Sequence, residues 1–194
     1  MRTYSYLALT AALLLAASCK KDDPEAGLPP ATQEGKNTAG CLINGQPFVA
    51  SGFGSGPGRV AGLGGGFAYD SAYYLRLNGK LGGQDGSLHI YLRSIPNYKS
   101  NSLIRTYLLN EISTYMPVAT PTQCRSYGAF FSNDNSGEVY ITDNIHMGKV
   151  DFVFVNLTDL NRPITAGTFE FTAVSSLDPN KTVRVTSGRF DRQQ

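Results

Sequence analysis

Tryptophan is absent from this sequence, histidine occurs only twice and cysteine three times. Without tryptophan, any surface that stacks against sugars would have to use tyrosine or phenylalanine. Two histidines and so few thiols do not make a convincing zinc ligand set. We therefore expect no metal site of that kind, and no motif indicates a cofactor.

Long apolar runs are also lacking, apart from the stretch Leu7 to Ala17, which follows Arg2 and is too short to span a bilayer as a mature helix. The small residues Ala16, Ala17 and Ser18 end this stretch and stand directly before Cys19. This order is typical of the site at which a bacterial lipoprotein is cleaved and lipidated. We predict a signal peptide over residues 1–18, with palmitate among the acyl chains on Cys19, so the mature protein is anchored to the membrane without being inserted in it.

The segment after the cleavage site has no hydrophobic periodicity of either kind. It begins Lys20-Lys21-Asp22-Asp23 and continues with proline, glycine and alanine. We interpret residues 19–38 as a flexible tether and residues 39–194 as one β-rich domain. The charged run resembles an export signal of Bacteroidota, which indicates an outer-membrane lipoprotein exposed on the cell surface. A periplasmic location, with an ordinary solvated charge run in the linker, is the alternative.

Charge is sparse: charged residues make up 16% of the chain, and the formal net charge is +2. Removal of the leader takes away Arg2 and no acidic residue, which leaves +1 on the mature chain. A nearly neutral protein lacks the concentrated basic face that nucleic-acid binding usually needs, so nucleic acid is excluded as an expected partner.

The other two cysteines, Cys41 and Cys124, would lie in an oxidising compartment if the protein is exported. We predict a disulfide between them. Two buried free thiols are the alternative, because sequence does not show proximity.

Glycine, tyrosine and phenylalanine are abundant, with 21, 11 and 10 residues. Together with many alternating apolar segments, they predict an all-β fold, either an antiparallel β-sandwich or a closed β-barrel of about eight to ten strands. The range 102–116 also has apolar residues at helical spacing, so one short helix is possible there. The glycine-rich range 52–66 lacks the strand-to-helix context of a phosphate-binding loop, and we interpret it as a flexible loop.

Two alternating segments, 72–78 and 88–93, flank a glycine-rich stretch and predict a β-hairpin with its leucines on one face. The opposite face would carry a candidate ligand-binding set: Tyr74, Arg76, His89, Tyr91 and Arg93. Paired arginine donors and tyrosine rings suit an anionic glycan that bears sulfate, phosphate or uronic acid. An ordinary wet strand face is the alternative interpretation.

The sequence gives little support for catalysis, and we assign no catalytic residues. Asp143 and His146 are close in sequence, but an ordinary turn explains them. Glu138 and Glu170 would serve as a glycosidase pair only at a suitable separation. The range 133–138 is rich in oxygen ligands, yet a hairpin loop explains it without calcium.

The domain opens with LPPATQEGKNT at 28–38 followed by GCLING at 40–45, and it ends with ITAGTFEF at 164–171 and VTSGRFD at 185–191. Together this opening and this tail resemble a family of uncharacterised Bacteroidota lipoproteins. The resemblance implies an anchored β-rich domain of unknown function and supplies no catalytic residues.

We therefore expect a non-catalytic binding or accessory module at the cell surface, whose partner is an anionic glycan or an envelope protein. A small hydrolase acting on glycans, a lipocalin-like carrier of an apolar ligand and a purely structural envelope protein are the alternatives.

Overall fold

The computed structural model describes residues 23–68, 71–95, 103–111, 125–133 and 137–194. Within these ranges the chain forms one 11-stranded antiparallel sheet that curls strongly into a half-barrel. The prediction of an all-β antiparallel fold is confirmed. The architecture is a single curled sheet, with slightly more strands than the sequence suggested.

The strands are, in chain order, β1 Thr38–Ile43, β2 Gln46–Val49, β3 Leu63–Ala68, β4 Ala72–Leu81, β5 Gln84–Leu92, β6 Thr106–Leu109, β7 Tyr127–Ser132, β8 Val139–Ile141, β9 Gly148–Asn156, β10 Ile164–Ser175 and β11 Thr182–Gln193. Their order across the sheet is β2-β1-β11-β10-β8-β7-β5-β4-β3. In addition, β9 pairs with β10 and β6 pairs with β9. Two short 3₁₀ helices span Pro24–Gly27 and Gly56–Gly58.

Two tight turns show how local sequence sets this topology. Asn44 and Gly45, between β1 and β2, have φ values of +49° and +80°. Gly82 and Gly83, between β4 and β5, have φ values of +57° and +88°. Left-handed backbone at both central positions matches the right-handed twist of paired strands, so each turn fixes a hairpin.

The sequence leaves one short helix possible over 102–116, and residues 104–111 do not form it. Thr106–Leu109 is instead strand β6, paired with β9. Tyr107 and Leu109 are buried while Thr106 and Leu108 are exposed, which is the alternation of a strand. Residues 112–116 lie outside the described ranges.

Aromatic side chains fill the concave side of the sheet. The ring of Tyr73 lies 5.0 Å from that of Phe152 and 6.3 Å from that of Phe190, and Phe152 contacts Phe190 at 5.7 Å. Tyr73 is fully buried, and its hydroxyl makes a 2.9 Å hydrogen bond with Thr165. The interior of the curl is therefore a packed core whose buried phenol is satisfied.

Within the glycine-rich range 52–66, residues 52–62 form a compact loop and the remaining residues begin β3. A Cβ at Gly62 would lie 2.3 Å from the carbonyl oxygen of Ala50, and one at Gly52, where φ is +72°, would lie 2.4 Å from that of Val60. These glycines permit close backbone approach, and the predicted loop is wrong only at residues 63–66, which belong to β3. No helix follows that would complete a phosphate-binding loop, since residues 63–68 are a strand.

Several sequence predictions fall outside the described residues, among them the signal peptide, Cys19 and Cys124. Cys41 is a free thiol, so the described residues show no disulfide, and its predicted partner lies outside them. The Cys41 side chain is fully buried in the core, and burial raises the pKa of the thiol. In the described part of the chain, no helix has the length and apolar character needed to cross a membrane.

Candidate functional site

The convex face of the β4–β5 hairpin carries the predicted ligand-binding set. Tyr74 lies directly opposite Tyr91, and Arg76 lies directly opposite His89. Arg93 follows the end of β5. The hairpin and the shared face follow from the alternation in the sequence, since every second residue of a strand points to the same side. We call these five residues the hairpin face.

The two tyrosines of the hairpin face differ in accessibility. Tyr74 is 43% exposed, whereas Tyr91 is 7% exposed. The Tyr91 ring stacks at 6.1 Å on that of Tyr127 from β7, with an angle of 11° between their planes. Tyr74 therefore offers a ring to a ligand, while Tyr91 belongs to a small aromatic cluster on the convex side.

His89 is half-buried and packs at 4.8 Å against the ring of Phe131. Burial, and secondarily the positive charge of Arg76, lowers the pKa of His89 to about 4. The imidazole is therefore neutral at physiological pH and contributes no positive charge to anion binding.

Arg93 is already engaged by neighbouring polar groups. Its guanidinium lies 3.6 Å from the carboxylate of Glu111, and its backbone N–H donates to the hydroxyl of Ser126 at 3.1 Å. Glu111 also accepts a 2.7 Å hydrogen bond from the backbone N–H of Ser126. The charge of Arg93 is thus partly neutralised before any ligand arrives.

Arg76 is exposed, and no ion pair joins it to a carboxylate within the described residues. Gly64, its partner on β3, has no side chain to cover the guanidinium. Arg76 lies opposite His89, and His89 is four residues before Arg93. The two arginines are therefore about 13 Å apart along the strands. This spacing suits a chain with repeated negative charges better than one small anion.

A second polar cluster joins the N-terminal segment to β11. Asp191 is 1% exposed, and its carboxylate accepts four hydrogen bonds. The donors are the hydroxyl of Thr32 at 2.6 Å and the backbone N–H groups of Glu34, Gly35 and Lys36 at 3.1, 2.7 and 3.1 Å. Burial by itself raises the pKa of Asp191, but these hydrogen bonds outweigh it and the pKa is lowered.

We call residues 23–37 the strap. Its other residues also contact the sheet. Glu25 accepts hydrogen bonds from Ser187 at 2.6 Å and from Arg189 at 2.5 Å, and these two donors lower its pKa. A Cβ at Gly40 of β1 would lie 2.8 Å from Cδ of Pro29, so the missing side chain makes room for the strap. Near its end, Asn37 accepts hydrogen bonds from Arg192 and Gln193.

The strap differs from the flexible tether expected over 19–38, because from Asp23 onward the chain follows β11. Sequence analysis missed these contacts, although a signal was present. The stretches 28–38 and 185–191, which were singled out in the sequence, meet here through the contacts of residues 32–36 with Asp191.

The remaining chemical candidates do not assemble a catalytic group among the described residues. Asp143 accepts hydrogen bonds from the backbone of Ile145 and His146 and from the His146 ring, so it closes a local turn as predicted. No hydrogen bond links either histidine to a serine or cysteine in the part of the chain that the structure describes.

Glu138 and Glu170 are not a glycosidase pair. Glu138 accepts hydrogen bonds from Ser175 at 2.5 Å and Tyr140 at 2.9 Å, while Glu170 is exposed beside Lys149. The Glu138 carboxylate is held at Ser175, which is five residues, or about 16 Å, from Glu170 along β10. The two carboxyl groups of a glycosidase pair must lie within about 10 Å of each other.

The range 133–138 is only partly described, because residues 134–136 lie outside the structure's described ranges. Among the described residues, no cluster of histidine, cysteine, aspartate and glutamate could hold a metal ion. The Glu138 carboxylate is instead used by Ser175 and Tyr140.

Comparison with protein-family models, with curated proteins and with solved structures finds no match to this chain. The resemblance stated above therefore stays a prediction.

Proposed function

We propose that this chain is a lipid-anchored envelope protein whose domain is a non-catalytic binding module for an anionic glycan, with the hairpin face as the binding surface. Cys19 carries the lipid, and the outer membrane, with the domain on the cell surface, is the proposed location. The periplasmic side is the alternative. The lipoprotein-like leader supports the anchor, and the exposed side chains of Arg76 and Tyr74 support a binding role.

The binding proposal rests on the exposure of Arg76 and on its lack of an ion pair in the part of the chain that the structure describes. Its guanidinium is exposed next to the exposed ring of Tyr74, and it has no carboxylate partner among the described residues. An arginine can hold a sulfate, phosphate or carboxylate by two parallel hydrogen bonds, and a neighbouring tyrosine can pack against the sugar ring. Arg93, about 13 Å away, could engage a second charge if the ligand displaced Glu111.

The test compares binding of the purified mature domain and its Arg76→Ala variant to a sulfated, a phosphorylated and a uronic-acid oligosaccharide. Loss of a charged hydrogen bond costs about 1.5–3 kcal/mol, so we expect Kd for the preferred oligosaccharide to rise at least about tenfold. Arg93→Ala should weaken binding less, because Glu111 already engages that side chain.

Lys80→Ala is the matched control. Lys80 is a cation on the same strand, but it is already paired with Asp85 at 3.1 Å. Its removal should leave Kd unchanged. Equal losses for Lys80→Ala and Arg76→Ala would mean that only net charge matters, and no binding by the unmodified domain would refute the glycan proposal.

The described structure gives less support to the alternatives. A lipocalin-like carrier needs an internal cavity, whereas Tyr73, Phe152 and Phe190 pack against each other inside the curl. A hydrolase needs a base close to a nucleophile, and His89 instead contacts Phe131.

A further inference from the structure

The strap contacts β11 in a fixed direction. Glu25 contacts Ser187, residues 32–36 contact Asp191, and Asn37 contacts Gln193. The strap therefore runs parallel to β11, and its beginning is directed towards the residue at which β11 begins, Thr182.

That end of the sheet is formed by hairpin turns, and we call it the turn end. It holds the β10–β11 turn at 176–181 and the β1–β2 turn at Asn44–Gly45. The β4–β5 turn is close by, since a Cβ at Gly82 would lie 3.7 Å from Oε1 of Gln46. The β9–β10 turn at 157–163 lies at the opposite end, about 36 Å away along β11.

The length of chain before the strap limits where the lipid can be. Four residue steps separate Cys19 from Asp23. A fully extended chain covers at most about 3.6 Å per residue, so Cys19 lies within about 14 Å of Asp23. A tether free over all of residues 19–38 would reach about 70 Å on the same basis and would set no orientation.

We propose that the strap orients the domain on the bilayer, with the turn end seated against the lipid headgroups and the β9–β10 turn directed away. This inference rests on the proposed lipidation of Cys19. In this orientation Tyr74, eight residues before the β4–β5 turn, is about 26 Å from the turn end, so the hairpin face is accessible from outside the membrane. Leu177, which is 68% exposed in the β10–β11 turn, would meet the headgroup layer.

Two turn residues give a matched pair of reporter positions. Asn180 lies in the β10–β11 turn and Asn161 in the β9–β10 turn, and both are exposed. Each has its backbone N–H bonded to the carboxylate of the aspartate two residues before it, at 3.0 Å for Asn180 and 2.9 Å for Asn161. A fluorophore attached through a genetically encoded azide side chain at either position therefore starts from the same local geometry.

The experiment uses full-length protein processed in its host and reconstituted into phospholipid vesicles that contain a lipid with a nitroxide headgroup. We expect several-fold stronger quenching at position 180 than at position 161. Insertion of about ten glycine and serine residues after Asp22 should remove the difference, because it lengthens the chain before the strap. Equal quenching at the two positions in the unmodified protein would overturn the orientation.

Mass spectrometry of the N-terminal peptide shows whether Cys19 is acylated, and so distinguishes a wrong orientation from a missing lipid anchor. An acylated Cys19 with equal quenching contradicts the strap orientation alone. An unacylated Cys19 contradicts the proposed anchor and the orientation together. A quenching difference that persists unchanged after the insertion would also contradict the strap as its cause.

Discussion

The strap side and the hairpin face of the sheet use their charged groups differently. On the strap side, Asp191 accepts four hydrogen bonds and Glu25 pairs with Arg189 at 2.5 Å. On the hairpin face, Arg76 is exposed and has no ion-pair partner among the described residues. Satisfied charges hold chain segments together, whereas an exposed unpaired charge is free to meet a ligand. The comparison separates the part of the surface that holds the fold from the part available for binding.

Loss of the Asp191 carboxylate should lower the free energy of unfolding more than the other substitutions that test this comparison. In Asp191→Ala, three strap N–H groups and the Thr32 hydroxyl lose their acceptor in a region that is partly buried. We expect a loss of about 3 kcal/mol in the free energy of unfolding. Urea denaturation measures this loss, and limited proteolysis should cut within 23–37 before it cuts the sheet.

Asp178→Ala is the control for this prediction, because the carboxylate of Asp178 accepts hydrogen bonds only from Asn180 among the described residues, within an exposed turn. It should change stability by less than about 1 kcal/mol. If both variants are equally stable, the Asp191 contacts do not hold the strap.

A smaller loss of stability is expected when a methyl group is added against the strap and no charge is changed. A methyl group at Gly40 would lie 2.8 Å from Pro29 and 3.2 Å from the carbonyl oxygen of Phe48, so Gly40→Ala should displace Pro29. Overpacking of this kind costs about 2 kcal/mol. Hydrogen exchange should show faster opening of the strap than of the sheet.

Gly58→Ala tests whether any added methyl group lowers the stability, whatever its surroundings. No atom lies within 4 Å of a Cβ at Gly58, and its φ is not positive. The substitution should be neutral or slightly stabilising. Comparable losses in the two alanine variants would contradict the close approach at Gly40.

The two regions also differ in how far sequence predicts them. The hairpin face follows from period-two alternation within residues 72–92, and the register places Tyr74 opposite Tyr91 as that alternation requires. The strap has no periodicity, and its main partner, Asp191, is 155 to 159 residues away. Local patterns predict strands and turns, but nothing local identifies Asp191 as the acceptor for Gly35. The burial of Tyr91 against Tyr127 was missed for the same reason, since it depends on which strand pairs with β5.

The smallest predicted effect concerns His89 and the pH dependence of stability. Burial, followed by the charge of Arg76, lowers the pKa of His89 to about 4. The unfolded chain, with a histidine pKa of about 6.5, binds more protons than the folded chain between these values, so stability should fall as the pH drops from about 6.5 to 4. After allowance for partial exposure, we expect a loss of about 1 kcal/mol over this interval.

His89→Gln should remove this part of the pH dependence, because glutamine does not titrate while its amide remains polar. His146→Gln is the control: it removes the other histidine, which lies in the Asp143 turn, and it should retain the slope. Free energies of unfolding from urea titrations at several pH values measure the effect. A slope that disappears in His146→Gln and survives in His89→Gln would mean that the hairpin face keeps His89 in contact with solvent. In that case its imidazolium, together with Arg76, would be available to an anionic ligand at mildly acidic pH.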